Sequence, residues 1–565
     1  MALAILMHLA VSTCSAMILG LAWGKLNYGI ALVSLLIGAV AGIWGWQSSK
    51  DEKRLFPEVK FVQALFYGFI LFAALQHFLY LLYYDRNSIN TLHAYNFGDL
   101  SMHLQYIRYI AHGAHFWPDN PEFAGDLLRY PIGMDLYNAL WENIGVPADS
   151  HLFLAGIIMT VVTISLLHKW MGWLGVGAFF LNGGLANWQS ILEKRLYDFQ
   201  DTVAWKNFFL SLWITQRGFL FAIPAGIYVI KMVTETLIGE RSLSRHEKVI
   251  CAVLWSSLAW FHLHTFFIVS LTLGICILLY KNVRSMFWIL LIVSLIGFIF
   301  VWFSTSGFLK AKVLHIKWGW VAGEENLFRF WFVNLGLWIL LGVTGFFFIL
   351  KKSFASLRPL AIVVLILFFV FTFVMVVPWD WDNIKVLLWL YLLMVWLAWK
   401  TWVKQLPAIA AFLTGCILFL PGAISVVSSL PGNNNGVRLY QSADLWDAEA
   451  ALLDVPVEAV LAVAPDPNHP AMFQGARVAM GYPGHLWAHG IDYASRESHL
   501  DRMFKGDKDW LALAKEIGVT HIYWGENEKR KYGTFNPSWQ YQLKNVSRSP
   551  KIHVYDLQSN QNMKQ

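Results

Sequence analysis

From residue 3 to about residue 428 the chain repeats one pattern. A run of roughly 17 to 25 apolar residues, the length a helix needs to cross hydrocarbon, is followed by a polar break. The runs lie near 3–23, 27–46, 61–84, 151–168, 170–187, 209–232, 249–262, 264–280, 286–304, 327–350, 357–378, 384–400 and 407–428, about thirteen in all. One break is long: residues 85–150 hold "YNFGDLSMHLQYIRYIAHG" and "WPDNPEFAGDLLRYPIGMDLYNAL". Beyond residue 436 the pattern changes. Short apolar runs, "AVLAVAP", "THIYWG" and "KIHVYDL", flank a helical stretch "SHLDRMFKGDKDWLALAKEIG", as in a small α/β domain. The run "PGNNNG" at 431–436 reads as a linker. The expected fold is an all-α polytopic membrane domain, 1–430, with a large loop at 85–150, followed by a soluble α/β domain at 436–565.

Composition supports the membrane reading. The 565 residues are 57% hydrophobic and 14% charged, with 29 Trp, more apolar matter than a soluble core buries. The net charge of +7 is dispersed through short loops: "SSKDEKR", "TETLIGERSLSRHEK", "YKNVRS", "KKSFASLRP" and "KTWVKQ". With the N-terminus cytoplasmic, all of these fall inside, as the positive-inside rule requires. Loop 85–150, the segments near 188–208, 305–326 and 379–383, and the C-terminal domain then face outward. Such spacing is topological and argues against a nucleic-acid partner. The expected location is the bacterial inner membrane, with the C-terminal domain periplasmic or extracellular. Cys14, Cys251, Cys276 and Cys416 lie inside apolar runs, so no disulfide framework or CxxC site is suggested. The first residues lack a basic n-region and lead straight into a second apolar run, so they read as a retained span.

The polar residues inside this pattern are the candidates for chemistry. Asp99 precedes a stretch with Leu100, Leu104, Ile107 and Ile110 or Ala111 at helical spacing, which suits an amphipathic helix on the outer membrane surface. Asp99 either caps that helix or is a functional carboxylate, and His103 shares its face. Asp119, Glu122, Asp126, Arg129 and Asp135 crowd one loop, which either binds a cation or is simply solvated. Arg217 in "WITQRGFLF" and His262 and His264 in "WFHLHTFF" sit in apolar runs, where an ionisable group needs a partner or a water-filled cavity. The two histidines alternate, so a helical zinc pair is absent. In "VVPWDWDNIKVLLWLYLL", Asp380, Asp382, Asn383 and Lys385 share a short outer turn. They form an ordinary Asp and Lys turn, or one whose cation faces an anionic headgroup.

Taken together and in this order, these residues resemble the membrane glycosyltransferases of the C-type superfamily (GT-C), which use polyprenyl-phosphate-linked sugars. The resemblance places the catalytic acid of the first large outer loop at Asp99 in "FGDLSMHLQYIRYI". More narrowly, "PDNPEFAGDLLRYPIGMDLYNAL" is similar to the run "PPxxPWxAGxxLxYYYxGHxLxAxL" of a largely uncharacterised prokaryotic branch. It matches at Pro118, Pro121, Ala124, Gly125, Leu128, Tyr130 and Ala139. It departs at Pro131, Ile132, Met134 and Asp135. In the tail, "KEIGVTHIYWGENEKRKYG" resembles an outer-domain strand and turn, here with Gly525, Glu526, Glu528, Lys529 and Tyr532, and "GYPGHLWAHGID" carries His485 and His489.

The resemblance implies an inverting transfer of sugar to a glycan, lipid or protein acceptor at the outer face. Asp99 would be the general base and Arg217, Lys385, His262 and His264 would hold the donor phosphate. His103, Glu122, Asp126, Arg129, Asp382 and Asn383 would support them. It leaves a divalent cation, Mg or Mn, open, because members with and without one exist. The competing classes are a transporter or lipid flippase, which normally shows inverted repeats and broken helices, and a non-catalytic envelope scaffold.

Overall fold

A computed structural model describes residues 1–48, 55–56, 58–306, 314–377, 379–534 and 536–558. All of the basic loop 48–54 except Ser48, and residues 307–313 of the segment 305–326, lie outside them. The chain is a multi-pass membrane protein. Among the described residues nine helices are long and apolar enough to cross a bilayer, ten if the bent pair Leu327–Leu335 and Leu337–Ile349 is one span, against the thirteen runs expected.

The difference has local causes. The runs 151–168 and 170–187 form one continuous helical stretch, Ala148–Phe180, broken at Gly172 (φ 59, ψ −149), a conformation that only glycine adopts without strain. A Cβ on Gly175 would lie 3.2 Å from the carbonyl of Leu167, so the chain folds back on itself there and its second arm stops being helical after Phe180. The run 209–232 opens on a π-helical turn, Phe209–Trp213, and still supplies one of the nine, Arg217–Leu237. Arg245–Phe261 and Leu263–Leu279 have 17 residues each and meet at His262, whose backbone is extended (φ −163, ψ 99). The pair Leu327–Leu335 and Leu337–Ile349 bends by 99°.

The long loop is built rather than irregular. Strand Ser88–Thr91 pairs antiparallel with Tyr83–Asp85 on one side and with Val437–Gln441 on the other, so the chain leaving the last membrane helix, Ala408–Ser428, is tied back onto the loop. Two helices follow, Asp99–Ala111 and Gly133–Asn143. The tail carries a five-stranded sheet in the order Arg477–Val478, Val460–Ala462, His521–Trp524, His553–Asp556, Lys544–Asn545, parallel across the first three strands and antiparallel across the rest.

The Asp99–Ala111 helix, expected on the outer membrane surface, is covered on both faces. Its apolar stripe, Leu100, Leu104 and Ile107, is buried, and its polar stripe is covered by the tail. Ser101 bonds Asn468, Gln105 Nε2 donates to the carbonyls of Pro121 (3.1 Å) and Ala476 (2.7 Å), and Arg108 donates to the carbonyl of Phe473. Positions 101, 105 and 108 face one way on a helix. A second seam runs beside it, where backbone bonds join Val478 to Pro121 (2.7 Å) and to Ala124 (3.1 Å), and Gly481 to Glu122 (2.7 Å). The loop thus continues the edge of the tail sheet, and this fixes where Glu122 stands.

Candidate active site

Asp99 opens its helix because Gly98 turns the chain with φ 89 and takes the N-cap position. Gly98 has no side chain with which to cap the helix. Gln216 reaches the Asp99 carboxylate: its Nε2 donates to Asp99 Oδ2 at 3.4 Å. The same amide accepts from Lys385 Nζ at 3.1 Å, and Lys385 pairs with Asp382 at 2.6 Å. Gln216 can do this because it is the N-cap residue of Arg217–Leu237 with extended backbone and no cap bond of its own. Three separate elements thus converge on one line of groups: Asp99, Gln216, Lys385, Asp382.

The other acids around this line each hold a cation-forming partner. Asp135 is bonded by His103 Nδ1 at 2.9 and 3.1 Å, so His103 serves Asp135 rather than the Asp99 with which it shares a helix face. Glu122 receives His485 Nδ1 at 2.8 Å. Asp126 pairs with Arg129 at 3.2 Å, and Arg129 also donates to Ser306 (2.6 Å) and to the carbonyl of Phe303 (2.8 Å). Asp99 differs: its hydrogen-bond donor is a neutral amide. Burial raises its pKa above the ordinary carboxylate value, while the facing His485, His103 and Lys385 pull it down and Asp382 pushes it up. A carboxylate made more basic in this way is a better proton acceptor once ionised.

The expected phosphate-binding residues divide. Arg217 is 1% exposed; its Nη2 donates to the carbonyl of Ile214, and its Nε and Nη1 are buried without a hydrogen-bond partner among the described residues. Lys385 lies in the line described above. His262 is both the end of one helix and the N-cap of the next: its Nδ1 accepts from the backbone N–H of Thr265 (3.2 Å) and lies 2.9 Å from the Thr265 hydroxyl, and its ring lies against Phe219, tilted, with centroids 3.9 Å apart. The His264 ring is 5.2 Å from it, and Nε2 of both rings is unpartnered. Asn383 is used elsewhere. Its amide accepts from Val376 N–H (3.0 Å) and donates to the carbonyl of Val374 (3.1 Å), holding the turn before its own helix.

Sequence reasoning missed Gln216 although it adjoins Arg217, because a neutral amide in an apolar run draws less notice than a cation. In the sequence His485 and His489 stand only as a tail motif. His489 lies 5.1 Å from the Tyr130 ring, which itself lies 6.0 Å from His103, and burial lowers its pKa to about 4. Glu528, in contrast, is used inside the tail by His469 (3.0 Å) and the amides of Ala464 and Gly525. Among the described residues no three His, Cys, Asp or Glu side chains are grouped to hold a metal ion. Glu122 is taken by His485 (2.8 Å) and Asp126 by Arg129 (3.2 Å), so these acids are matched with cation-forming side chains and do not form a donor set for Mg or Mn with Asp99.

No family model matches the chain, and no curated protein matches it. Among solved structures it is similar to the Archaeoglobus fulgidus oligosaccharyltransferase tethered to an acceptor peptide containing the NVT sequon, at 12% identity and a TM-score of 0.40, over 82% of this chain and 69% of that one.

Proposed function

We propose that the protein is an inverting membrane glycosyltransferase of the GT-C type. It would move a sugar from a polyprenyl-phosphate donor to a glycan, lipid or protein acceptor at the outer face of the membrane, which carries the loop and the tail. The observation that carries this reading is the charge pattern of the site. Four acids are matched with Lys, Arg or His, and Asp99, at the head of its helix, is bonded to a neutral amide.

The reaction needs little else. An acceptor hydroxyl attacks the anomeric carbon, its proton passes to Asp99, and the bond from that carbon to the phosphate oxygen breaks with the electron pair remaining on the phosphate. A phosphate leaves as an anion and needs no proton. One carboxylate and a set of cations therefore suffice, where glycoside hydrolysis requires two acids. A single displacement inverts the anomeric centre. Arg217, Lys385 and the Nε2 atoms of His262 and His264 are the groups suited to the charge that builds on the phosphate. The unpartnered guanidinium nitrogens of Arg217 support its role.

The test is incubation of purified full-length protein with tritiated polyprenyl-phosphate hexoses and membrane extract, with search for a labelled product. Release of polyprenyl phosphate with transfer of label is expected. Movement of the intact donor across proteoliposomes, without cleavage, would favour a flippase instead. Neither cleavage nor movement would leave a scaffold.

A further inference from the structure

The tail contributes a side chain that none of the loop's own acids required. His485 lies in the short helix Pro483–Ala488, 363 positions beyond Glu122, and its Nδ1 is 2.8 Å from Glu122 Oε1. Its other nitrogen faces the head of the Asp99 helix: a Cβ placed on Gly98 would lie 3.3 Å from His485 Nε2. Glu122 itself is fully buried and held by the loop and tail seam through the backbone bond from Gly481. The imidazole is therefore gripped at one nitrogen and presented at the other.

We infer that His485 is a positioning residue for this site: anchored on Glu122, its imidazole is held at the head of the Asp99 helix, where its charge acts on the carboxylate that receives the acceptor proton. The inference rests on the transfer reading above. The charged and titratable groups facing Asp99 are His485 from the tail, His103 from its own helix, Tyr130 from the loop, and Lys385 and Asp382 from the Asp380–Thr401 helix. Those facing His485 are Glu122 from the loop, Asp99 from its helix, and His489 and Tyr482 from the tail itself. Burial works against a charged imidazole, but Glu122 and Asp99 together hold its pKa above the ordinary value, so the protonated form is favoured relative to a free imidazole. The bland alternative is that His485 only fastens the tail to the loop, in which case the state of Asp99 would not depend on it.

The test reads Asp99 directly in the full-length protein. Dicyclohexylcarbodiimide couples to protonated, shielded carboxyls, and peptide mass spectrometry gives the Asp99 adduct as a function of pH. In His485→Gln the midpoint is expected to move up by about one pH unit, because a facing cation is lost. His485→Asn gives the same reading if the first variant does not fold. An unchanged midpoint in a folded variant overturns the inference. With tritiated polyprenyl-phosphate hexoses as the probe, His485→Gln should lower kcat roughly tenfold with donor KM unchanged and shift the acid limb of the profile upward. A wild-type kcat and profile in that variant overturns the positioning role. The transfer reading fails separately, if Asp99→Asn turns over donor at the wild-type rate whatever the labelling shows.

Discussion

His485 and Glu122 are 363 positions apart and meet at 2.8 Å, so a buried acid of the loop and a histidine of the tail complete one another. The folded pKa of His485 is raised: burial opposes this, and the charges of Glu122 and Asp99 prevail. A raised histidine contributes stability that is fully present below its unfolded value, about 6.5, and is lost as pH rises through the folded value. Docking of the tail should therefore weaken over that interval. Thermal melts of the full-length protein from acidic to mildly alkaline pH should show the decline, and Glu122→Gln should flatten it. An equally steep decline in Glu122→Gln would show that this pair is not its source.

Gln216 gives a second prediction. Its amide serves Asp99 with the nitrogen and Lys385 with the oxygen, so Gln216→Leu removes both bonds in one step. Leaving buried polar partners unmet costs about 1–3 kcal/mol, and turnover should fall roughly 10- to 100-fold on that scale. Gln216→Glu keeps the shape but sets a like charge beside Asp99. The acid limb of its pH profile should move to higher pH, since a second carboxylate disfavours ionisation of the first. Profiles identical to wild type in both variants would detach Gln216 from the site.

These residues show what a sequence can reveal here. Asp99 was legible because a Gly-Asp pair at the head of a helical pattern is a local signal. The membrane helices were legible for the same reason, through hydropathy. The relations that define the site are not local: Gln216 reaches Asp99 across 117 positions and Lys385 reaches Gln216 across 169. Asn383 shows the opposite failing. It stands amid charged neighbours, yet its amide is consumed by the backbone of Val374 and Val376, and no pattern distinguishes a polar group that binds a ligand from one that closes a turn. The break at Gly172 was hidden because the residues on both sides are equally apolar.

Arg217 supplies a third prediction. A guanidinium can hold a phosphate with two parallel bonds, whereas an ammonium is a point charge, and the Nε and Nη1 of Arg217 have no hydrogen-bond partner among the described residues. Binding of a tritiated polyprenyl-phosphate hexose should weaken more in Arg217→Ala than in Arg217→Lys. Both variants also lose the bond to the carbonyl of Ile214, so melting temperatures are needed to separate folding from affinity. Equal donor affinity in wild type and both folded variants would remove Arg217 from the donor site.

The orientation can be tested at Ser495, which is exposed in the tail. With Cys416 replaced by Ser, a Ser495→Cys variant should react with a membrane-impermeant maleimide added to intact spheroplasts. Reaction only after permeabilisation would put the tail and the candidate site on the cytoplasmic side and reverse the proposed topology.

The sharpest test concerns Asp99. Asp99→Asn keeps the shape and the ability to bond Gln216 but removes the basic oxygen. Burial raises the pKa of Asp99 in the folded chain, so at neutral pH the ionised carboxylate is a burden on the fold: stability falls as pH rises from its unfolded value through the raised one. The Asn variant should therefore melt at or above the wild-type temperature near pH 7. If Asp99 is the base, turnover of tritiated donor should drop about 100-fold or more, the scale of general-base contributions, while donor binding is unchanged. The two measurements move in opposite directions, which a general loss of structure cannot imitate. The acid limb of the wild-type profile should also lie above the ordinary carboxylate range, because the raised pKa of Asp99 sets the pH at which the base is lost. An Asp99→Asn protein that transfers sugar at the wild-type rate would sink the mechanism and turn attention to Glu122 and Asp126, the other acids of the loop.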